Sequence, residues 1–357
     1  GAQTFYNCSS LVRITIPNGV TDIGNEAFYN CANLVSITMP RDITKIDTCT
    51  FFNCYNIAEV YMSDIESWCK IDFEGVHSNP LSCGGKLYIN QEPVTKLVIP
   101  DSITSLKDCA FSGCSSLTDI TIPDGVTSIG YEAFYKCVNL VNITMPDSIT
   151  SIGAQTFYNC SSLTDITIPN GVTNIEHDMF YECRSLTSIT IPSSVTDFGE
   201  NAFYSCYDLE KVYISDILSW YGILFHNPYS TPLRYGGKLY INQEAVTKLV
   251  IPDSITSLNN YVFSGCSGLT DVVIPDSVTS IGYGAFDGCQ DLTSMIIPDS
   301  VTSIKNYAFQ DCDNLISLSV GSGVTIIPQN AFYSCQNLKY VCLPKELLYI
   351  RNYAFNY

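Results

Sequence analysis

Positive charge is scarce in this 357-residue chain: 17 lysines and arginines stand against 35 acids, a formal net charge of −18. That balance opposes any role that depends on neutralising phosphates, which argues against nucleic acid as a partner and against anionic membrane surfaces. Basic partners, and neutral polar ones such as glycans, stay open. Histidine is scarcer still. His77, His177 and His226 come with no serine–histidine–aspartate order and no G-x-S-x-G elbow. The glycine pairs Gly84-Gly85 and Gly236-Gly237 precede strand-like segments, so they do not read as phosphate-cradling loops. Long apolar runs are missing too: none approaches the roughly 18 residues of a membrane span. No basic segment followed by an apolar stretch opens the chain, so no signal peptide is read in it. What the chain has in quantity is apolar residues, 46% of the total, enough for a large core and too many for disorder.

Those apolar residues recur. Phenylalanine falls at Phe5, Phe28 and Phe51, then at Phe111, Phe134, Phe157, Phe180 and Phe203, then at Phe263, Phe286, Phe309, Phe332 and Phe355, with a step of 23 residues inside each group and gaps of 60 between groups. A longer period of 152 residues lays Cys206–Phe355 over Cys54–Phe203. One unit reads LTDITIPDGVTSIGYEAFYKCVN from Leu117. Leu117, Ile120 and Ile122 have the spacing of a short strand with its apolar side inward. Pro123-Asp124-Gly125 is a turn, Val126 and Ile129 suggest a second extended piece, and Glu132–Cys137 is expected to make one helical turn that buries Phe134 and Cys137. A unit this short cannot bury its own apolar residues, so the units must stack with their strands parallel. Fourteen strand motifs follow, the first at Leu11 and the last at Leu338. The expected architecture is an α/β solenoid: one continuous array over 1–357, interrupted by insertions at 63–93 and 215–245.

The string LxxIxIPxxVTxIGxxAFxxCxx resembles the BspA-like leucine-rich repeats of bacterial and protist surface proteins, over essentially the whole chain. The resemblance implies a right-handed solenoid with a parallel sheet on its concave face, and an extracellular adhesion or binding role. The usual asparagine ladder is absent, and cysteine fills the comparable inward position. Both ends fall inside the pattern, and residues 1–11 recur at 153–163. With no polar cap in view, the chain is expected to be a piece of a longer protein, truncated at both ends.

The repeat also accounts for most residues that suggest chemistry. Twelve of the 17 cysteines share one position, from Cys8 to Cys335, and read as buried thiols acting as small hydrophobes. Cys69 and Cys83 share an insertion, where a local disulfide and two free thiols both stand open; Tyr221 and Tyr235 replace them in the second insertion. Aspartates at 101, 124, 147, 253, 276 and 299 suit turn chemistry better than a calcium ladder. The outward strand position carries threonine at 15, 38, 121, 144, 167 and 190, broken by Tyr61, Val98, Tyr213, Val250, Val273 and Ile296. No cofactor, metal or catalytic residue is expected.

The insertions hold the only two tryptophans, Trp68 and Trp220. Ser63 and Glu66 fit a capping box for a short helix, and Lys86–Ile89 with Asn90-Gln91-Glu92 reads as a hairpin returning the chain to the stack. Two readings apply to the tryptophans: recognition from a loop standing off the solenoid, or a small satellite core. Phe73 and Tyr229 are expected to be exposed contacts, and Tyr61, Tyr213 and Tyr340 to mark the strand face. The expected function is an extracellular module, monomeric, that binds a protein or glycan without catalysis. A structural spacer or stalk is the alternative, and an enzyme a distant second alternative.

Overall fold

A chain that keeps Leu117, Ile120 and Ile122 on one side must run extended. In the computed structural model, which describes residues 1–356, Asp119–Thr121 is a strand with Ile120 only 2% exposed and Thr121 facing solvent. Pro123 then turns the chain, with the Val126 amide donating to the Pro123 carbonyl at 3.1 Å. The two-residue strand Ser128–Ile129 follows. Both strands pair in parallel with their equivalents 23 residues on, Ile120 with Ile143 and Ile129 with Ile152. The protein is therefore a parallel-strand β-solenoid built of 23-residue coils.

The helical turn expected at Glu132–Cys137 does not form. Glu132 and Lys136 take left-handed φ values of 54° and 56°, which no α-helix accepts. The amides alternate instead. Tyr135 and Cys137 donate back three residues to Glu132 and Phe134, at 3.1 and 3.0 Å. Glu132, Phe134 and Lys136 donate along the stack to Ala154, Thr156 and Tyr158, at 3.1, 3.0 and 2.7 Å. A helix would keep every amide to itself and leave this side of each coil untied to the next. Because buried amides must be paired, the alternation satisfies the coil and the stack together.

Side chains repeat the ladder. Phe111, Phe134 and Phe157 lie fully buried with ring centroids 5.7 Å apart and planes within 7°. Where one regular coil follows another, the buried column cysteine donates its thiol to the phenylalanine carbonyl of the preceding coil, as Cys137 does to Phe111 and Cys160 to Phe134, at 3.0 and 3.2 Å. Cys114 and Cys266, which follow the insertions, bond Ser116 and Ser267 instead. Cysteine thus fills the inward ladder position, as the sequence led one to expect. Asparagines do ladder here, but from exposed positions, with Asn139 donating to the Ser115 carbonyl at 2.8 Å. Two of the turn aspartates bond the neighbouring coil: Asp147 accepts the Asn170 amide at 3.1 Å and Asp299 the Ser322 amide at 2.6 Å.

The chain divides into two compact units, Gly1–Leu186 with Tyr204–Cys206, and Thr187–Phe203 with Tyr207–Tyr357. Each contains one insertion, and each insertion is a modified coil rather than a loop standing off the stack. In the first unit, Asp72–Phe73 pairs with Lys45–Ile46, and Lys86–Ile89 pairs in parallel with Glu59–Met62. In the second, Lys238–Ile241 pairs with Lys211–Ile214 in the same way. The main ladder thus gains two strands, sixteen in place of fourteen among the described residues. The expected hairpin forms as well. Asn90 and Gln91, with φ of 50° and 68°, turn the chain so that Glu92–Pro93 runs antiparallel to Lys86–Ile89.

Between the two strands of each modified coil sits a five-residue helix, α1 (Ile65–Cys69) in the first unit and α2 (Ile217–Tyr221) in the second. The N-cap is Asp64 rather than Ser63: its carboxylate accepts the Ser67 amide at 2.8 Å, and Asp216 caps α2 identically.

Candidate functional site

The helices place their tryptophans inside the solenoid. Trp68 is fully buried and Trp220 is 1% exposed. Their indole Nε1 atoms donate to the Ala110 and Val262 carbonyls, each at 2.8 Å. Phe73 and Phe225 pack against them with centroids 5.5 Å apart. Phe73 is only 5% exposed, so the exposed contact expected there is corrected: its strand pairs with Lys45–Ile46 and turns the ring inward. Tyr229 is half-buried beneath the Arg234 guanidinium, which lies 5.9 Å from its ring centroid. The tryptophans thus close the core of the modified coil and offer no contact to a partner.

What remains outward is the strand face. Tyr61 lies beside Tyr88, in register on the next strand, with centroids 4.9 Å apart and planes at 30°. Tyr213 and Tyr240 repeat the arrangement in the second unit at 5.1 Å and 43°. All four rings are half-exposed. The sequence marks Tyr61 and Tyr213 but not their partners' place in the sheet, although LYI at Leu87–Ile89 has the same alternation as VYM at Val60–Met62. Tyr340 is 69% exposed but occupies another column: Ser317 is its register partner, and Cys342 takes the position equivalent to Tyr213. Tyr213 and Tyr340 therefore lie on different sheets of the second unit and do not converge.

The two faces differ in charge. In the first unit the residue before each tyrosine on the same face is Glu59 or Lys86, and Tyr61 donates its hydroxyl to Glu59 at 3.2 Å. Desolvation, reinforced by that carboxylate, raises the Tyr61 pKa above the usual phenol value. In the second unit the corresponding residues are Lys211 and Lys238. Further along, Val250, Val273 and Ile296 form an outward apolar row, 68%, 50% and 69% exposed, where the first unit has Val98, Thr121 and Thr144.

Other groups with chemical potential are engaged by the fold. A cleft of about 570 Å³ beside the first insertion gathers Asp72, Glu74 and Asp108. Lys107 holds Asp72 at 2.9 Å, Lys45 holds Glu74 at 3.0 Å, and Asp108 accepts the Tyr131 amide at 2.8 Å. His226 pairs with Asp197 at 3.0 Å, and His77 packs edge-on against Phe52. Burial pushes the Cys54 thiol up to about 12 and raises Cys137, Cys160 and Cys206 well above the usual thiol value, which suppresses nucleophilic thiolate. Cys69 is buried and Cys83 exposed, both as free thiols. Among the described residues no three His, Cys, Asp or Glu side chains gather as a metal site would require, and no helix is long and apolar enough to cross a membrane.

A family model described as BspA type leucine rich repeat region matches residues 1–77, 82–210 and 236–357. Among solved structures, a leucine-rich repeat protein from Bacteroides ovatus is 30% identical with a TM-score of 0.57, over 97% of this chain and 82% of that one. One from Eubacterium ventriosum is 21% identical with a TM-score of 0.48, over 90% and 88%. A leucine rich cell surface protein from Faecalibacterium prausnitzii is 23% identical with a TM-score of 0.41, over 86% and 87%. No curated protein matches.

Proposed function

Since the chain belongs to the BspA-type leucine-rich repeat family, we propose that it is an extracellular binding or adhesion module whose strand face engages a protein or glycan without catalysis. The observation that carries this reading is the pair of tyrosine couples. Tyr61 with Tyr88 and Tyr213 with Tyr240 expose aromatic surface that the core does not use. Aromatic side chains standing on a rigid sheet suit recognition, because little side-chain freedom is lost on contact. The apolar row Val250, Val273 and Ile296 extends the same face and supports the same reading.

The test is binding of the intact chain to glycan and host-protein arrays, with a double variant Tyr61→Ser, Tyr213→Ser beside it. Loss of signal at an unchanged melting temperature supports a binding face. Signal that survives the double variant moves the site elsewhere, and no signal from either protein favours the spacer reading.

A further inference from the structure

We infer that the face around Tyr213 and Tyr240 takes an acidic glycan, a polysaccharide bearing carboxylates or sulfates. The inference rests on the binding reading above and narrows its ligand. Lys211 and Lys238 stand in register on neighbouring parallel strands, two residues before Tyr213 and Tyr240 and on the same face. Lys248 opens the first strand after the hairpin. All three are exposed, and none forms an ion pair among the described residues. Strand spacing of about 4.8 Å and a two-residue step of about 7 Å set two ammonium groups and two rings in a patch of sugar-unit dimensions. The 43° tilt between the rings leaves part of each open to the apolar face of a pyranose. Lysine, a compact point charge, suits carboxylate or sulfate beside it.

The first unit supplies the comparison. It keeps the tyrosine couple, Lys86 and Lys96, but Glu59 stands where the second unit has Lys211. There Lys96 also approaches Asp119 at 3.9 Å. In the second unit Asp271, in register with Lys248, forms no such pair, and the acids nearest in sequence, Glu210 and Glu244, are likewise unpaired with these lysines. Net charge of −18 opposes attraction of an anion from afar. At physiological salt, however, screening within about 8 Å leaves the local lysines in control of contact. An acidic peptide fits less well, since extended peptides gain affinity from an open sheet edge and Glu244–Ala245 pairs along this one.

The experiment measures binding of the intact chain to immobilised polygalacturonate and dextran sulfate, with neutral dextran and poly-glutamate as comparisons. The expected result is binding to one or both acidic polysaccharides that weakens with salt. Lys211→Glu, which recreates the first unit's pattern, should weaken it about tenfold, and Glu59→Lys should strengthen it, both with unchanged melting temperatures. A carboxylate or sulfate preference identifies the acidic group. Equal binding to poly-glutamate overturns the glycan assignment. Binding to any probe that is lost on Tyr213→Ser but insensitive to Lys211→Glu overturns this inference and leaves the binding module standing. Absence of binding to every one of these probes overturns this inference alone, and binding that survives Tyr61→Ser and Tyr213→Ser together removes the tyrosine faces from both readings.

Discussion

Trp220 donates its indole N–H to the Val262 carbonyl at 2.8 Å, reaching 42 residues along the chain. Trp68 does the same to Ala110, but there Asn79 also donates, at 3.3 Å. In a regular coil this carbonyl accepts an amide from the previous coil, as Ala133 accepts from Phe111. The modified coil supplies no such amide, and the indole takes its place. Trp220→Phe should therefore cost about 2–3 kcal/mol, from lost packing and an orphaned buried carbonyl. Trp68→Phe should cost about 1 kcal/mol less, because Asn79 keeps the Ala110 carbonyl paired. Urea denaturation of the two variants measures the difference.

Arg234 and Asp287 form a largely buried ion pair in the second unit. The first unit has Ser82 and Tyr135 at the equivalent positions. Arg234→Ser alone strands a buried carboxylate and should cost about 3 kcal/mol. Adding Asp287→Tyr installs the first unit's pair and should recover most of it. A double variant no more stable than the single one would show that the pair does not act as a unit.

Gly113 sits at φ 76°, where a Cβ would lie 2.3 Å from the Leu81 carbonyl oxygen. Lys136, one coil later, holds φ 56° with a side chain in place. The difference is the insertion's returning backbone, which crowds the first site. Gly113→Ala should cost roughly 2 kcal/mol or more, while Lys136→Gly should stay within about 1 kcal/mol of the parent. Thermal melts of both variants test the contrast.

Alkali should destabilise the protein. Burial pushes Cys54, Cys69 and Cys266 up to about 12 from an ordinary 9.0. A folded-state value raised this way leaves stability intact below pH 9, where the thiols are protonated whether folded or not. Above it the unfolded chain alone ionises. Each such thiol then removes up to about 1.4 kcal/mol per pH unit until pH 12. Urea midpoints at pH 7, 9, 10 and 11 should be level at first and then fall. A level profile through pH 11 would contradict the buried-thiol account. At pH 8, a thiol reagent should label exposed Cys83, Cys342 and Cys8, the one column member left exposed, well ahead of the eleven buried column cysteines.

The 23-residue period was legible because one geometric requirement, burial against an identical neighbour, acts on every coil. It predicts the register of Ile120 with Ile143 and the inward cysteines. It fails where a coil changes length. Val60 pairs with Leu87 across a longer step, so the strand at Lys86–Ile89 reads from sequence only as a hairpin arm, and Phe73 only as loop. The left-handed φ at Glu132 leaves little compositional mark, but the Lys136 column carries one that the helical reading passed over: glycine at Gly113, Gly265 and Gly288 and asparagine at Asn7, Asn30, Asn53 and Asn159. Tyr340 is a different miss: counting from Leu338 places Cys342, not Tyr340, in the Tyr213 column, and the strand pairing agrees. The charge contrast between Glu59 and Lys211 was visible in the sequence, but its meaning depended on knowing which side chains share a face.

The cysteine–carbonyl ladder and the stacked phenylalanines make the interiors of the regular coils interchangeable, and the 152-residue copy inherits that interior nearly intact. Duplication of such a segment delivers a second, already folded face at once. Mutation can then explore ligand chemistry on one copy while its twin preserves the ancestral contact. Glu59 and Lys211 occupy the same place in the two copies with opposite charge, and the same arithmetic lets a repeat array acquire new specificities by adding coils instead of inventing folds.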